Sequence, residues 1–405
     1  MDMHRSKPHE MLARQTSDDV ARAQFIVALK RHLRGMTRED AALYRRDVEP
    51  RFRARHGRSP ETAEEVEDAM AGEASHRLWS ALTRGAQEMM WNVVEDTIVR
   101  DMPRMLETAR GLRRSGQSAQ PGHPLGSLTL DPGLAAPPDL LVANIHCQPG
   151  GYLRDSGEED IMAGALYESG GNLYSSGVGI GGRDSKAGAV IRHLAQRFPD
   201  LRPRRILDLG CSAGGASVGY AADFPDAEVH AVDAAPAILR YAHARAESLG
   251  VAVHFHQMDV RHLGFPDGHF DLVVSHNLMH EVSRDTLARM LAESHRVLRP
   301  GGIAVHQDVP IRGDRSLYER YLFAWETRYN NEPFWQVFAE ADVVKLLGEA
   351  GFSHDAIAET ELPKLDGPGA WYVATAVKSA EYLRAVEGTL GEWANPADEE
   401  SYRAL

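Results

Sequence analysis

The run Arg205-Ile-Leu-Asp-Leu-Gly-Cys-Ser-Ala-Gly-Gly215 constrains this chain more than any other feature: a short apolar segment ends in an acid and a glycine-rich turn. Gly210 and Gly214 admit positive φ and a close backbone approach that a side chain would block. The amides that open a following helix present unpaired donors, so the arrangement builds a site for a nucleotide-type ligand. Four later segments give it weight: Glu228-Val-His-Ala-Val-Asp233, Val253-His-Phe-His-Gln-Met-Asp259, Phe270-Asp-Leu-Val-Val-Ser275 and Leu298-Arg-Pro-Gly-Gly302. Strands are expected near 205–209, 228–233, 252–257, 271–275, 303–308 and 371–377, with helical patterns between them. That alternation predicts right-handed βαβ units and a mostly parallel sheet with helices on both faces, its ligand at the carboxyl ends of the strands.

With 405 residues the chain exceeds one typical domain, so a large α/β unit with a smaller appended one is expected. Residues 1–115 read as an N-terminal helical cap or dimerisation domain. Helix starts are expected at Thr37-Arg-Glu-Asp40 and at Ser59-Pro60, and an amphipathic stretch from Glu61 to Arg114 offers Leu78, Trp79, Leu82, Met89, Met90, Trp91, Val94 and Ile98 as its buried face. Residues 116–144, rich in Gly, Ser and Pro, read as a linker. The α/β domain spans 145–379 and begins with a glycine-rich loop from Ile145 to Lys186. An aromatic insertion at about 312–341 reads as a substrate lid, and 380–405 as a C-terminal tail.

Composition excludes several classes. No apolar run approaches the roughly 18–20 residues of a membrane span, and the first residues lack a secretion signal, so a cytoplasmic protein is expected. Two cysteines, Cys147 and Cys211, are too few for a disulfide scaffold. The net charge of −13 divides into +2 over residues 1–115 and −15 over the remainder. An acidic main domain argues against a nucleic-acid substrate.

Residues 200–309, a little over a quarter of the chain, resemble the class I S-adenosylmethionine-dependent methyltransferases. The resemblance implies a Rossmann-like methyltransferase fold with a mostly parallel seven-stranded sheet. It implies S-adenosyl-L-methionine as cofactor, with S-adenosyl-L-homocysteine as product. By that likeness, Asp208, Gly210, Cys211, Ser212 and Gly214 wrap the amino-acid half of the cofactor, and Asp233, beside Ala234, accepts the ribose hydroxyls. A carboxylate suits that role because its two oxygens receive two donors. Asp259, between Met258 and Val260, matches the position that accepts from the adenine amino group, and Ser275 and His276 end the fourth strand near the methyl group. Ser212 departs from the commoner pattern, which has a third glycine there.

The acceptor side is less constrained. His276 and His280 stand four apart, a spacing that lets them share a helical face, and are candidates, with His306, for a base that removes a proton from the acceptor. Tyr167, Asn172, Tyr174, Asn277, Asp308, Tyr321, Trp325 and Tyr329 are candidate substrate contacts. No familiar metal-ligand spacing occurs, so no metal is expected. The reading is methyl transfer to the O, N or S atom of a small organic acceptor, with a homodimer through the N-terminal helices as candidate assembly and no membrane partner. Alternatives are a methyltransferase acting on protein or RNA, docked through Arg45 to Arg58, a cofactor-binding protein without turnover, and a non-methylating use of the same cofactor.

Overall fold

The computed structural model describes residues 9–117, 126–174, 185–365 and 369–379. The expected tail at 380–405 lies outside them, as do 118–125 of the linker and 175–184 of the glycine-rich segment.

Among the described residues, eight strands form one sheet: β1 (Ser127–Thr129), β2 (Arg205–Leu209), β3 (Glu228–Asp233), β4 (His254–Gln257), β5 (Phe270–His276), β6 (Leu298–Asp308), β7 (Ile357–Pro363) and β8 (Ala370–Val377). Their order is β1-β4-β3-β2-β5-β6-β8-β7. The first six pair with one another in parallel, while β8 runs antiparallel to both β6 and β7. The sheet is thus mostly parallel, with one strand more than the seven expected.

Part of the expected linker is strand. β1 pairs with β4, Ser127 opposite His254 and Thr129 opposite His256. Gly126 brings the chain in so close that a Cβ there would lie 2.1 Å from the Val253 carbonyl oxygen.

Helices cover both faces. On one, α6 (Ser185–Arg197), α7 (Gly215–Asp223) and α8 (Pro236–Ser248) bury Val190, Val218, Tyr220 and Leu239 against Ile206, Val229 and Val305. On the other, α9 (Arg284–Val297), α11 (Trp335–Ala339) and α12 (Val343–Glu349) bury Leu287, Met290, Phe338 and Leu347 against Leu207, Val273 and Ala304.

The N-terminal region is helical: α1 (Ser17–Leu43), α2 (Glu49–His56), α3 (Ala63–Met70) and α4 (Ala74–Gln117). The expected starts are displaced. Thr16 begins α1 through a reciprocal capping box with Asp19, and Tyr44–Val48 carries the helix on into α2 as a π-helical segment, so Thr37 is interior. Thr62 rather than Ser59 caps α3, and residues 71–73 separate α3 from α4. Trp79, Met90, Trp91, Val94 and Ile98 are buried as expected, whereas Leu78, Leu82 and Met89 remain 55%, 40% and 42% exposed.

The expected glycine-rich loop contains α5 (Met162–Tyr174), packed between α4 and α8. Its glycines serve close packing: a Cβ on Gly164 would lie 2.4 Å from Tyr241, and one on Gly170 2.4 Å from the Trp91 ring. A buried polar cluster ties these helices together. Glu168 accepts from Arg245 at 3.0 Å and Tyr241 at 2.5 Å, and its Oε1 lies 3.0 Å from His9 Nε2. The expected lid helix α10 (Leu317–Tyr329) packs with Tyr44, Val66 and Met70 of the N-terminal region. Among the described residues, no helix is long and apolar enough to cross a membrane.

Candidate functional site

β2 sits between β3 and β5, so the chain leaves toward one side of the sheet after β2 and the other side is built from β5 onward. A crevice opens at the carboxyl end of such a switch point. The loop after β2 forms one wall. Gly210 has φ 64°, and a Cβ there would lie 2.8 Å from the Leu278 side chain across the crevice. Gly214 has φ 72° and precedes α7. Asp208 is buried and accepts from the Ser217 hydroxyl at 2.6 Å. Asp233, at the end of β3, receives the Ser212 and Ala235 amides at 3.0 Å each, and burial pushes its carboxyl up. Burial likewise raises the Cys211 thiol, which makes it a packing group rather than a thiolate.

Ser212 occupies the left-handed region with φ 47°, the reason a glycine is the commoner residue at this point. Ser212→Gly is expected to stabilise the fold by about 1 kcal/mol without loss of cofactor affinity, read by chemical denaturation and calorimetry.

A cavity of about 80 Å³ lies beside this wall, lined by Gly210, Ser212, Asp233, Ala234, Ile238, Met258, Asp259, Val260, Asn277, Leu278 and Thr286, and closed by Asp139, Tyr152, Tyr167 and Glu281. A smaller one of about 20 Å³ holds Asp208, Cys211, Ser212, Tyr167 and His276. Asp259 pairs with Arg261 at 2.6 Å, which outweighs the burial that would raise its carboxyl. Two carboxylates at the strand ends, glycine walls and an apolar shelf of Ile238, Met258 and Val260 fit a cationic amino-acid–nucleoside ligand such as S-adenosylmethionine.

Several acceptor-side expectations need correction. His276 and His280 do not share a helical face: His276 ends β5 and His280 sits in a 3₁₀ turn, Met279–Glu281. Both His276 ring nitrogens are occupied, by the Tyr220 hydroxyl at 3.0 Å and Gln307 Oε1 at 3.1 Å. Ser275 and His306 are fully buried against each other at 2.9 Å, and neither lines the crevice. Burial lowers the His306 imidazole to about 4. His280 is the opposite case: burial would lower it, but Asp308 and Glu281 hold it up to about 10, so in this arrangement it carries a proton and is not poised to take one. Asp308 is fully buried, accepting from the Met279 and Val309 amides at 2.8 and 2.6 Å and from His280 Nδ1 at 2.5 Å. It positions His280 and does not reach the crevice.

Of the aromatic insertion, Tyr321 and Trp325 face the N-terminal helices. The Tyr321 hydroxyl meets His76 Nε2 at 2.6 Å, and the Trp325 indole donates to Ser80 Oγ at 2.8 Å. Trp325 and Tyr329 line a separate cavity of about 210 Å³ with Trp79, Lys30 and Arg84. Tyr167 and Asn277 do face the crevice. Asn172 and Tyr174 lie in α5, their side chains outside the described ones.

Four residues from three distant segments meet at the crevice rim: His146, His280, Glu281 and Glu332, with one ligand-type atom of each within 4.8 Å of the others. Sequence reading did not single out His146, Glu281 or Glu332, because no spacing links them. One local signal exists: among the described residues, the non-glycine residues with positive φ are His146, Cys147, Ser212, Asn277 and Asn331. All are in the cofactor loop, at the crevice, or in segments bearing the cluster, and such strain concentrates where function over-determines the backbone.

A family model described as a methyltransferase domain matches residues 206–302. The demethylmenaquinone methyltransferase of Thermus thermophilus is 37% identical over 109 residues, 27% of this chain and 48% of that protein. The malonyl-[acyl-carrier protein] O-methyltransferase of Halorhodospira halophila is 32% identical over 209 residues, 51% of this chain and 65% of that protein. An uncharacterized methyltransferase of Synechocystis is 32% identical over 150 residues, 37% of this chain and 67% of that protein. The chain therefore spans about half to two thirds of the length of these relatives. With the glycine loop after β2, the acid ending β3 and the crevice between β2 and β5 all inside the matched region, the chain belongs to the S-adenosylmethionine-dependent methyltransferase family.

Proposed function

We propose that this protein transfers a methyl group from S-adenosylmethionine to the O, N or S atom of a small organic acceptor. The observation that carries the reading is the crevice itself. Carboxylates for the donor stand on one side, and a rim of Tyr152, Tyr167, Asn277 and Glu281 stands beside them. The bound cofactor supplies an electrophilic methyl group. The residues of the chain hold it, orient the acceptor lone pair and exclude water, and orientation of that kind is worth up to roughly 7–11 kcal/mol. Burial keeps the Tyr152 hydroxyl protonated and it donates to Glu281 Oε1 at 3.3 Å, so it fixes the rim carboxylate and does not serve as a base.

Relatives that include a trans-aconitate 2-methyltransferase from Rhodococcus jostii, 29% identical over 204 residues, are consistent with this reading. Exposed Leu78, Leu82 and Met89, spaced four and seven along α4, support self-association through the helical region. Light scattering should then give twice the chain mass.

The test is incubation with methyl-labelled cofactor and fractionated cell extract. Label in low-molecular-weight products is expected. Label in protein or RNA would overturn the acceptor class, and cofactor binding without any transfer would overturn the enzyme.

A further inference from the structure

We propose that His146, His280, Glu281 and Glu332 form a binding site for a divalent first-row transition metal ion of the zinc type, at the rim of the cofactor crevice. Metal binding here does not depend on the methyl-transfer reading. Two imidazoles and two carboxylates are a donor set suited to zinc, iron(II) or manganese rather than to magnesium or calcium.

The four ligand-type atoms lie within 4.8 Å of one another, so modest side-chain shifts would draw them onto one ion. Tetrahedral bonds of about 2.0–2.2 Å space the ligand atoms by about 3.4 Å. Glu281 Oε1 lies 3.1 Å from His146 Nε2 and 3.5 Å from His280 Nε2, and Glu332 Oε1 contacts His146 Nδ1. His146 has two ring nitrogens within the cluster, and only one is needed to ligate.

Two independent observations point to a ligand. The Glu332 side chain is 1% exposed and its Oε2 has no hydrogen-bond partner, while Glu281 Oε2 is buried and likewise unbonded. Buried carboxylate oxygens without donors are costly unless a cation faces them. Behind the cluster, Asp308 binds His280 Nδ1 at 2.5 Å, which leaves Nε2 directed at Glu281. A carboxylate on the far nitrogen of a histidine is the usual support of a metal ligand.

The scaffold also spends conformational energy to bring these groups together. His146 has φ 54°, and its carbonyl is clamped by the Gln87 amide at 2.8 Å and the Trp91 indole at 2.6 Å, both from α4. Asn331, next to Glu332, has φ 53°, and its amide donates to the Asn144 carbonyl at 3.1 Å. The N-terminal helices thereby gain a task, to hold His146 over the crevice. Glu281 is shared between cluster and cavity, so the ion faces the space beside the cofactor.

The test uses the full-length protein stripped with a chelator and titrated with Zn²⁺, Co²⁺ and Mg²⁺. One equivalent of Zn²⁺ is expected to bind, with Mg²⁺ failing to compete, and Co²⁺ should give visible absorption bands typical of a four- or five-coordinate nitrogen–oxygen site. Glu332→Gln and His146→Gln should each weaken Zn²⁺ binding by more than about tenfold. Circular dichroism shows whether the variants fold, and the wild-type Co²⁺ spectrum stands without them. No uptake by the wild-type protein, an octahedral-type Co²⁺ spectrum, or unchanged affinity in folded variants would overturn the proposal.

Discussion

Glu168→Ala is expected to destabilise the protein by about 3–5 kcal/mol, the loss typical when one partner of a buried ion pair is removed. Glu168 and Arg245 are each 1% exposed on the side chain, so the substitution leaves a buried guanidinium without its carboxylate. His9 and Tyr241 lose their shared partner at the same time. Since these four groups join the N-terminal segment, α5 and α8, the cap should loosen first. Denaturant unfolding followed by tryptophan fluorescence, with Trp91 as reporter, checks both size and place. The same cluster gives a pH dependence. Burial would raise the Glu168 carboxyl, but Arg245, His9 and Tyr241 outweigh it and hold it at about 2, below its ordinary 4.5. A depressed carboxyl stabilises above its unfolded value, so this contribution is full above about pH 4.5 and disappears as pH falls toward about 2. Glu168→Gln should remove that acid-side slope.

Asp233→Ala should weaken S-adenosylmethionine binding by about 30- to 1,000-fold, or about 2–4 kcal/mol, the size of one or two charge-assisted hydrogen bonds. The carboxylate faces the cavity while accepting the Ser212 and Ala235 amides. Its removal therefore costs twice, by deleting the acceptor for the ligand and by freeing the loop that shapes the wall. Asp233→Asn separates the two, because an amide oxygen still accepts but carries no charge. Calorimetry should rank wild type, Asn and Ala in that order.

The donor side was legible because its elements are short apolar runs ending in an acid; strands β2 to β5 and β8 stand where the pattern places them, while β6 begins earlier than the expected 303, at Leu298. β7 escaped because Ile357-Ala-Glu-Thr-Glu-Leu-Pro363 is an exposed edge strand with a polar face, and β1 because three residues beside Gly126 give no periodicity. α5 looked like a loop because its glycines, needed where Tyr241 and Trp91 press on the helix, lower apparent helix propensity. The rim was illegible for a different reason. His146, Glu281 and Glu332 become neighbours only through tertiary packing, and the His276–His280 spacing suggested a helix face where the chain makes a strand end and a turn. Tyr321 and Trp325 had the composition of a lid, yet their polar atoms found partners on α4.

The central claim is that the crevice between β2 and β5 holds S-adenosylmethionine, and direct titration of the full-length chain tests it most directly. S-adenosylmethionine and S-adenosylhomocysteine should each bind with one-to-one stoichiometry, both weakened in Asp233→Ala, with no measurable binding of a nicotinamide dinucleotide. Absence of binding by the folded wild-type protein, or affinity unchanged in the Asp233→Ala variant, would contradict it.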